Sequence, residues 1–346
     1  MSAYAELDHW ALGRRYNEFM NSFSRIQDVL AEHRLRDRHL LKQDEWNWLK
    51  RRSSEHRSAN LVAAELGFNM YNIHVFAVEL PPGESDGAYH IHGEAVKFYL
   101  KGRAKEIIGD REYEVEAGDV ILVPAHVWHG TQNVYSEPVS FLAAAHAGAG
   151  APMFRQPVFQ TRSDLRKADE EQRLNAELRE GRFASMLGVE LSRVRHHLLQ
   201  ELGELEREME SRRSAQRHLM RKSELEWSDL ASEMGLDQSN GCRVAKGIYP
   251  ELGFPAYNFV TFFVDVPPGA ATSRHSHGEE MKYFLEGRGR ETVGDESYEV
   301  ERGDIIFVPA KTSHRTENSG SSPLVYFSIG QGRGTPVAVP AFPKLA

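Results

Sequence analysis

The chain has 346 residues, a formal charge of −8 and a sequence pI near 6.1. That length suits two domains that each bury a core, and the acidic balance excludes a basic field for nucleic acid or an anionic membrane. A single cysteine, Cys242, excludes an intrachain disulfide framework; with no apolar run long enough to span a membrane and no basic-then-apolar leader, a cytoplasmic protein is expected.

In chain order, residues 14–35 read as helix, and RHLLKQDEWNW (38–48) follows. Short strand-like segments come next: NIHVFAVEL, AYHIH, VKFYL, EIIG, YEVE, DVILVP and FLAAA, punctuated by Gly, Pro and Asp-Gly. No helices alternate with them, so an all-β barrel or jelly roll is expected rather than a parallel α/β sheet. Residues 163–212 contain no proline and read as helix, with Leu191, Val194, Leu198, Leu202, Leu205 and Met209 forming one apolar stripe. Such a stripe packs on a barrel or a second subunit, and a homo-oligomer is expected. His196 and His197 on this helix read as solvated surface.

The second half then repeats the first. RHLMRKSELEW (217–227) answers residues 38–48, and LGFPAYNFVTFFVDVPPG (252–269) answers LGFNMYNIHVFAVELPPG (66–83). The chain is therefore read as a duplicated unit, 1–160 and 161–346, each a helical prefix followed by a barrel. Each copy carries His-x-His on one strand and a third His after a Gly-Asp…Pro strand. These are His90, His92 and His129 in the first copy, and His275, His277 and His314 in the second. Three imidazoles from two strands form a site for a first-row metal.

Strand parity points His90 and His92 into one barrel with Ala95, Lys97 and Tyr99, and His275 and His277 into the other with Glu280, Lys282 and Phe284. Glu94 and Glu279 have the opposite parity and read as facing out, although a one-residue shortening before Glu280 leaves Glu279 as an alternative ligand. An inward lysine needs a counter-charge. Lys282 has Glu280 two residues away, whereas Ala95 leaves Lys97 without an obvious one, so an anionic substrate is expected to supply it.

These residues resemble the two motifs of the cupin superfamily. Gly269, His275, His277, Glu280 and Gly287, then Gly303, Pro309, His314 and Asn318, match both motifs but for one missing residue. Gly83, His90, His92 and Gly102, then Gly118, Pro124, His129 and Asn133, match in the first copy, with Ala95 in place of the Glu. The resemblance implies a bicupin, mainly β with helical additions. Ala95, Lys97 and Phe98, with Trp128 before His129, are similar to the amino-terminal site of gentisate and salicylate 1,2-dioxygenases.

That resemblance implies a non-haem Fe(II) dioxygenase that cleaves a hydroxylated or aminated aromatic acid with dioxygen at the three-His site. Lys97 would orient the carboxylate, and His74, Trp128 and Tyr99 are further candidates around the substrate. The second site, His275, His277, Glu280 and His314, would hold Fe(II), Mn(II) or another divalent metal. The alternatives are a Mn-dependent bicupin acting on a small acid or sugar (an oxalate decarboxylase, isomerase or lyase) and a non-enzymatic metal-binding bicupin.

Overall fold

A computed structural model describes residues 38–50, 55–86 except 64–65, 69 and 71–72, then 90–91, 94–146 except 125–126 and 128, and 156–157. It resumes at 217–234 and 240–331, except 257 and 311. The expected helix at 14–35 and the stripe from Leu191 to Met209 lie outside these residues. Among the described residues no helix is long and apolar enough to cross a membrane.

Each half folds as two antiparallel sheets. The large sheet of the first barrel runs Leu219–Met220, Val120–Val123, Ala95–Lys101, Val139–His146, Ile73–Leu80, Arg57–Val62, Leu49–Lys50. Its smaller sheet runs Gln156–Pro157, His90–Ile91, His129–Gln132, Arg103–Ile108, Arg111–Glu116. The second barrel repeats the large sheet as Leu40–Leu41, Ile305–Val308, Glu280–Glu286, Leu324–Gln331, Phe259–Val266, Arg243–Lys246, Trp227–Asp229. Its smaller sheet holds Glu296–Glu301, Arg288–Val293 and His314–Glu317. This is the two-sheet barrel that the alternating strands imply.

The repeat in sequence and the sheets in space do not coincide. Leu40 pairs with Ile306 of the second barrel, and Leu219 pairs with Ile121 of the first. Each barrel thus takes its outermost strand from the other half of the repeat, so a division at 160/161 separates the repeats but leaves one strand of each large sheet on the other side. The exchanged segments dock on the turns at Gly118 and Gly303. Both have positive φ, and a Cβ there would overlap Lys222 and Gln43 respectively. Ion pairs lock the joints: Lys42 to Asp304 at 2.6 Å, and Arg221 to Asp119 at 3.0 Å.

The large sheets are covered on both faces, so Phe259–Val266 is buried throughout rather than alternating in and out. One face lines the barrel: Ala95, Tyr99, Ile121 and Phe141 pack together in the first, and Phe284, Ile306 and Tyr326 in the second. The other face packs barrel on barrel, where Val96, Phe98 and Leu122 join Phe263, Phe307 and Phe327 in one core. Phe98 stacks on Phe327 with centroids 4.3 Å apart and meets Phe263 edge-on at 5.7 Å. Phe98→Ala is expected to cost about 3–5 kcal/mol, the range for a buried ring whose space cannot fully collapse. Urea unfolding of the variant checks this.

Candidate metal centre

His275 and His314 come from adjacent backbone segments that exchange two hydrogen bonds, at 3.1 and 2.9 Å. His277 follows on the His275 side, and Glu280 opens the strand Glu280–Glu286. The structure brings all four together inside the second barrel, each nearly or fully buried. One ring nitrogen of each of His275, His277 and His314 lies within 4.8 Å of the others. Glu280 Oε2 is 3.2 Å from His314 Nε2 and 3.5 Å from His277 Nε2. Ser328 donates its hydroxyl hydrogen to the other carboxylate oxygen.

Backbone carbonyls orient the three rings. His275 Nδ1 lies 2.7 Å from Ser273 O, His277 Nδ1 2.8 Å from Gly278 O, and His314 Nδ1 3.0 Å from Thr312 O. A carbonyl only accepts, so each Nδ1 carries the proton and each Nε2 presents its lone pair, the outer-shell arrangement of metal-binding histidines. Burial, aided by the neighbouring imidazoles, holds His275 well below the usual histidine range. Burial and the charge on Lys282 push His314 down to about 4. For Glu280 burial works the other way, but Lys282, His277 and His314 together hold its carboxyl well below the usual range. His275 and His314 are therefore neutral, and Glu280 is ionised, at neutral pH. Glu280 Oε2 and His314 Nε2 are buried with no hydrogen-bond partner among the described residues. A cation satisfies both, and the nitrogen-and-oxygen donor set fits a divalent first-row metal.

The cupin-domain family profile matches the chain twice, at residues 76–145 and 262–330, one match in each barrel. The chain is a bicupin. Solved structures share the fold over most of its length. Oxalate decarboxylase from Lactobacillus farciminis, in a formate complex, aligns over 86% of each chain at TM-score 0.54 and 16% identity. A variant of the Bacillus subtilis oxalate decarboxylase covers 86% of this chain and 78% of its own, at TM-score 0.53 and 19% identity. Sequence relatives match shorter stretches. The uncharacterised protein MJ1618 of Methanocaldococcus jannaschii is 49% identical over 61 residues, 17% of this chain and 49% of that protein. Oxalate decarboxylase OxdC of Bacillus subtilis is 34% identical over 73 residues, 19% of each chain. The aligned stretches thus span half or less of these relatives.

In the first barrel of the bicupin, His129 stands opposite His90 in the backbone ladder, as His314 stands opposite His275. His129 is fully buried and its Nδ1 lies 2.9 Å from Val127 O, the same outer-shell contact. The side chain of His90, all of His92 and Trp128 lie outside the described residues. Ala95 is buried and lines the barrel at the place of Glu280. His74 is partly buried, 5.7 Å from the Phe76 ring. It shares that residue's strand face, which includes Val78 and lines the barrel.

Lys97 points inward and is buried, but the expectation that it lacks a counter-charge is wrong. Its ammonium lies 2.9 Å from Glu106 Oε1, 3.3 Å from Asp86 Oδ2 and 2.6 Å from Thr131 Oγ1. Lys282 repeats the set, at 2.7 Å from Glu291, 3.0 Å from Thr316 and 3.7 Å from Glu280. Burial opposes charge on both lysines, yet the facing carboxylates outweigh it and raise both. The two barrels place the second carboxylate differently. Asp86 accepts Thr131 N at 3.0 Å, where Thr272 Oγ1 accepts Thr316 N at 3.0 Å. The carboxylate lost at Ala95 is thus regained at Asp86, and each buried lysine keeps two acids. With its three donors engaged, Lys97 loses the reason for assigning it a substrate carboxylate. Tyr99 donates to Glu106 Oε1, and burial beside that carboxylate raises its hydroxyl well above the usual range, so it stays protonated.

In the sequence Glu106 and Thr131 carry one signal, their repetition: Glu291 and Thr316 answer them at matching places. Polar residues identical in both copies and on the inward face mark a shared buried network. Asn133 and Asn318 belong to that class. Each donates its amide to two carbonyls, Leu80 and Glu137 in the first barrel, and Val266 and Ser322 in the second. These contacts hold the turn after the third histidine.

Proposed function

We propose that the protein is a divalent-metal enzyme acting on a small carboxylic acid, with His275, His277, His314 and Glu280 as its metal centre. The observation that carries this reading is that Glu280 Oε2 and His314 Nε2 are buried without a hydrogen bond among the described residues, at the meeting point of three oriented imidazoles. A buried polar atom left without a hydrogen bond costs about 1–3 kcal/mol. A bound Mn(II) or Fe(II) would supply Lewis-acid charge for a substrate carboxylate and electron-transfer capacity. Three neutral imidazoles and Glu280 leave such a site with a net positive charge, which favours an anion. Val260, Phe262, Val264 and Phe284 line this barrel with apolar side chains. Likeness to oxalate decarboxylases, one described by its Mn(II) centres, supports the small-acid class.

The aromatic-acid dioxygenase reading keeps one specific support: Ala95 leaves the first barrel without a carboxylate beside the three-His motif. The paired state of Lys97 removes the other. Metal analysis of protein purified without added metal, followed by product assays on oxalate and other small acids and oxygen uptake with gentisate-like aromatics, separates the two. Since an outer-shell partner alone is worth about 10–100-fold, His314→Ala is expected to lower small-acid turnover by at least that much. Turnover that survives His314→Ala but is lost in His129→Ala would move the reaction to the first barrel.

A further inference from the structure

The two barrels hold each other's ligand segments. Glu279 lies between Gly278 and the ligand Glu280, and is fully buried. Strand parity turns it outside the barrel, with a place on the metal as the alternative. It does face away from its own barrel, but into the other one: its Oε2 accepts the backbone N–H of Ile73 at 2.8 Å. Ile73 opens the first barrel's strand Ile73–Leu80. Glu94, also fully buried, makes the reciprocal contact. Its Oε1 accepts the N–H groups of Asn258 and Phe259, at 2.9 and 2.8 Å, where the strand Phe259–Val266 begins.

We infer that Glu279 is a positioning residue for the second barrel's metal centre, clamping the His277–Glu280 segment to the first barrel. This rests on the metal-centre reading above. The carbonyl that orients His277 through Nδ1 is that of Gly278, and it belongs to the peptide bond joining Gly278 to Glu279. Turning that peptide therefore turns the imidazole, and the next residue is the carboxylate ligand. One side chain, fixed by a rigid N–H from another domain, thus restrains two of the four ligands. A carboxylate accepts such a bond about twice as strongly as a neutral group. The Glu94 contact ends on Ala95, which ligates nothing, so it supplies an internal control of matched interface chemistry.

Mn(II) affinity, read from the electron paramagnetic resonance signal of free Mn(II), tests this in a His129→Ala background that isolates the second barrel. Urea unfolding of the metal-free variants runs in parallel. Glu279→Ala is expected to weaken Mn(II) binding about tenfold, or roughly 1.4 kcal/mol. Glu94→Ala is expected to lower stability while leaving that affinity within about twofold. If Glu279→Ala does not fold, Glu279→Asp keeps the charge but withdraws the acceptor by one methylene, and is expected to weaken binding as well. Equal loss of stability in the Glu279 and Glu94 variants with unchanged Mn(II) affinity would overturn the clamp alone. Absence of Mn(II) binding by the parent protein would overturn both the clamp and the metal-centre reading.

Discussion

Lys282→Met is expected to destabilise the metal-free protein by about 3–5 kcal/mol, the range for removing one partner of a buried ion pair. Methionine keeps most of the stem's volume, so the loss is electrostatic: Glu280 and Glu291 stay buried with no cation. Stripped of Lys282, those carboxyls take up protons more readily folded than unfolded. The folded state then binds more protons than the unfolded one, and stability falls as pH rises. The variant should therefore be more stable near pH 5 than near pH 7, in contrast to the parent. Lys97→Met is expected to behave alike, because Glu106 stands at the place of Glu291 and Asp86 replaces the missing strand carboxylate there. Adding Asp86→Asn to Lys97→Met should recover part of the loss, since it removes one uncompensated charge. Urea unfolding across pH checks both. A cost below about 1 kcal/mol would place the lysine in the class of exposed pairs, against its burial.

The second large effect belongs to the metal. Mn(II) held at about a hundred times its dissociation constant is expected to stabilise the folded protein by about 2.7 kcal/mol. His277→Ala or His314→Ala should abolish the second barrel's share, and Glu280→Gln should weaken it. Calorimetry with and without Mn(II) reads the difference, and an unchanged increment in all three variants would exclude this centre. Acid acts on the same atoms. His275 and His314 are held below the usual histidine range, the latter to about 4. Between that value and about 6.5 the unfolded chain binds more protons than the folded one. The metal-free protein should accordingly lose stability as pH falls through this window.

Residue order alone carries the duplication, the barrel class and the inward face of each motif strand. Period-two alternation decides which residues share a face, so Ala95, Lys97 and Tyr99 could be grouped before any fold was known, as could Glu280 and Lys282. The donor pattern His275, His277 and His314 was legible for the same reason, together with the spacing of the glycines and prolines. Parity, however, says which side of a strand a residue occupies and not what covers that side. Glu94 and Glu279 face away from their own barrels, as read, yet the packing of barrel on barrel made that side an interior where each meets backbone N–H groups of the other. The counter-charge of Lys97 is hidden similarly, because Glu106 meets it from the facing sheet across the barrel interior and Asp86 from a loop, a juxtaposition that only folding sets. Strand exchange is the same lesson at larger scale. Leu40 and Leu219 look local to their own repeats, but the open edge of each large sheet is satisfied by whichever strand lies beside it, and here that strand comes from the other half.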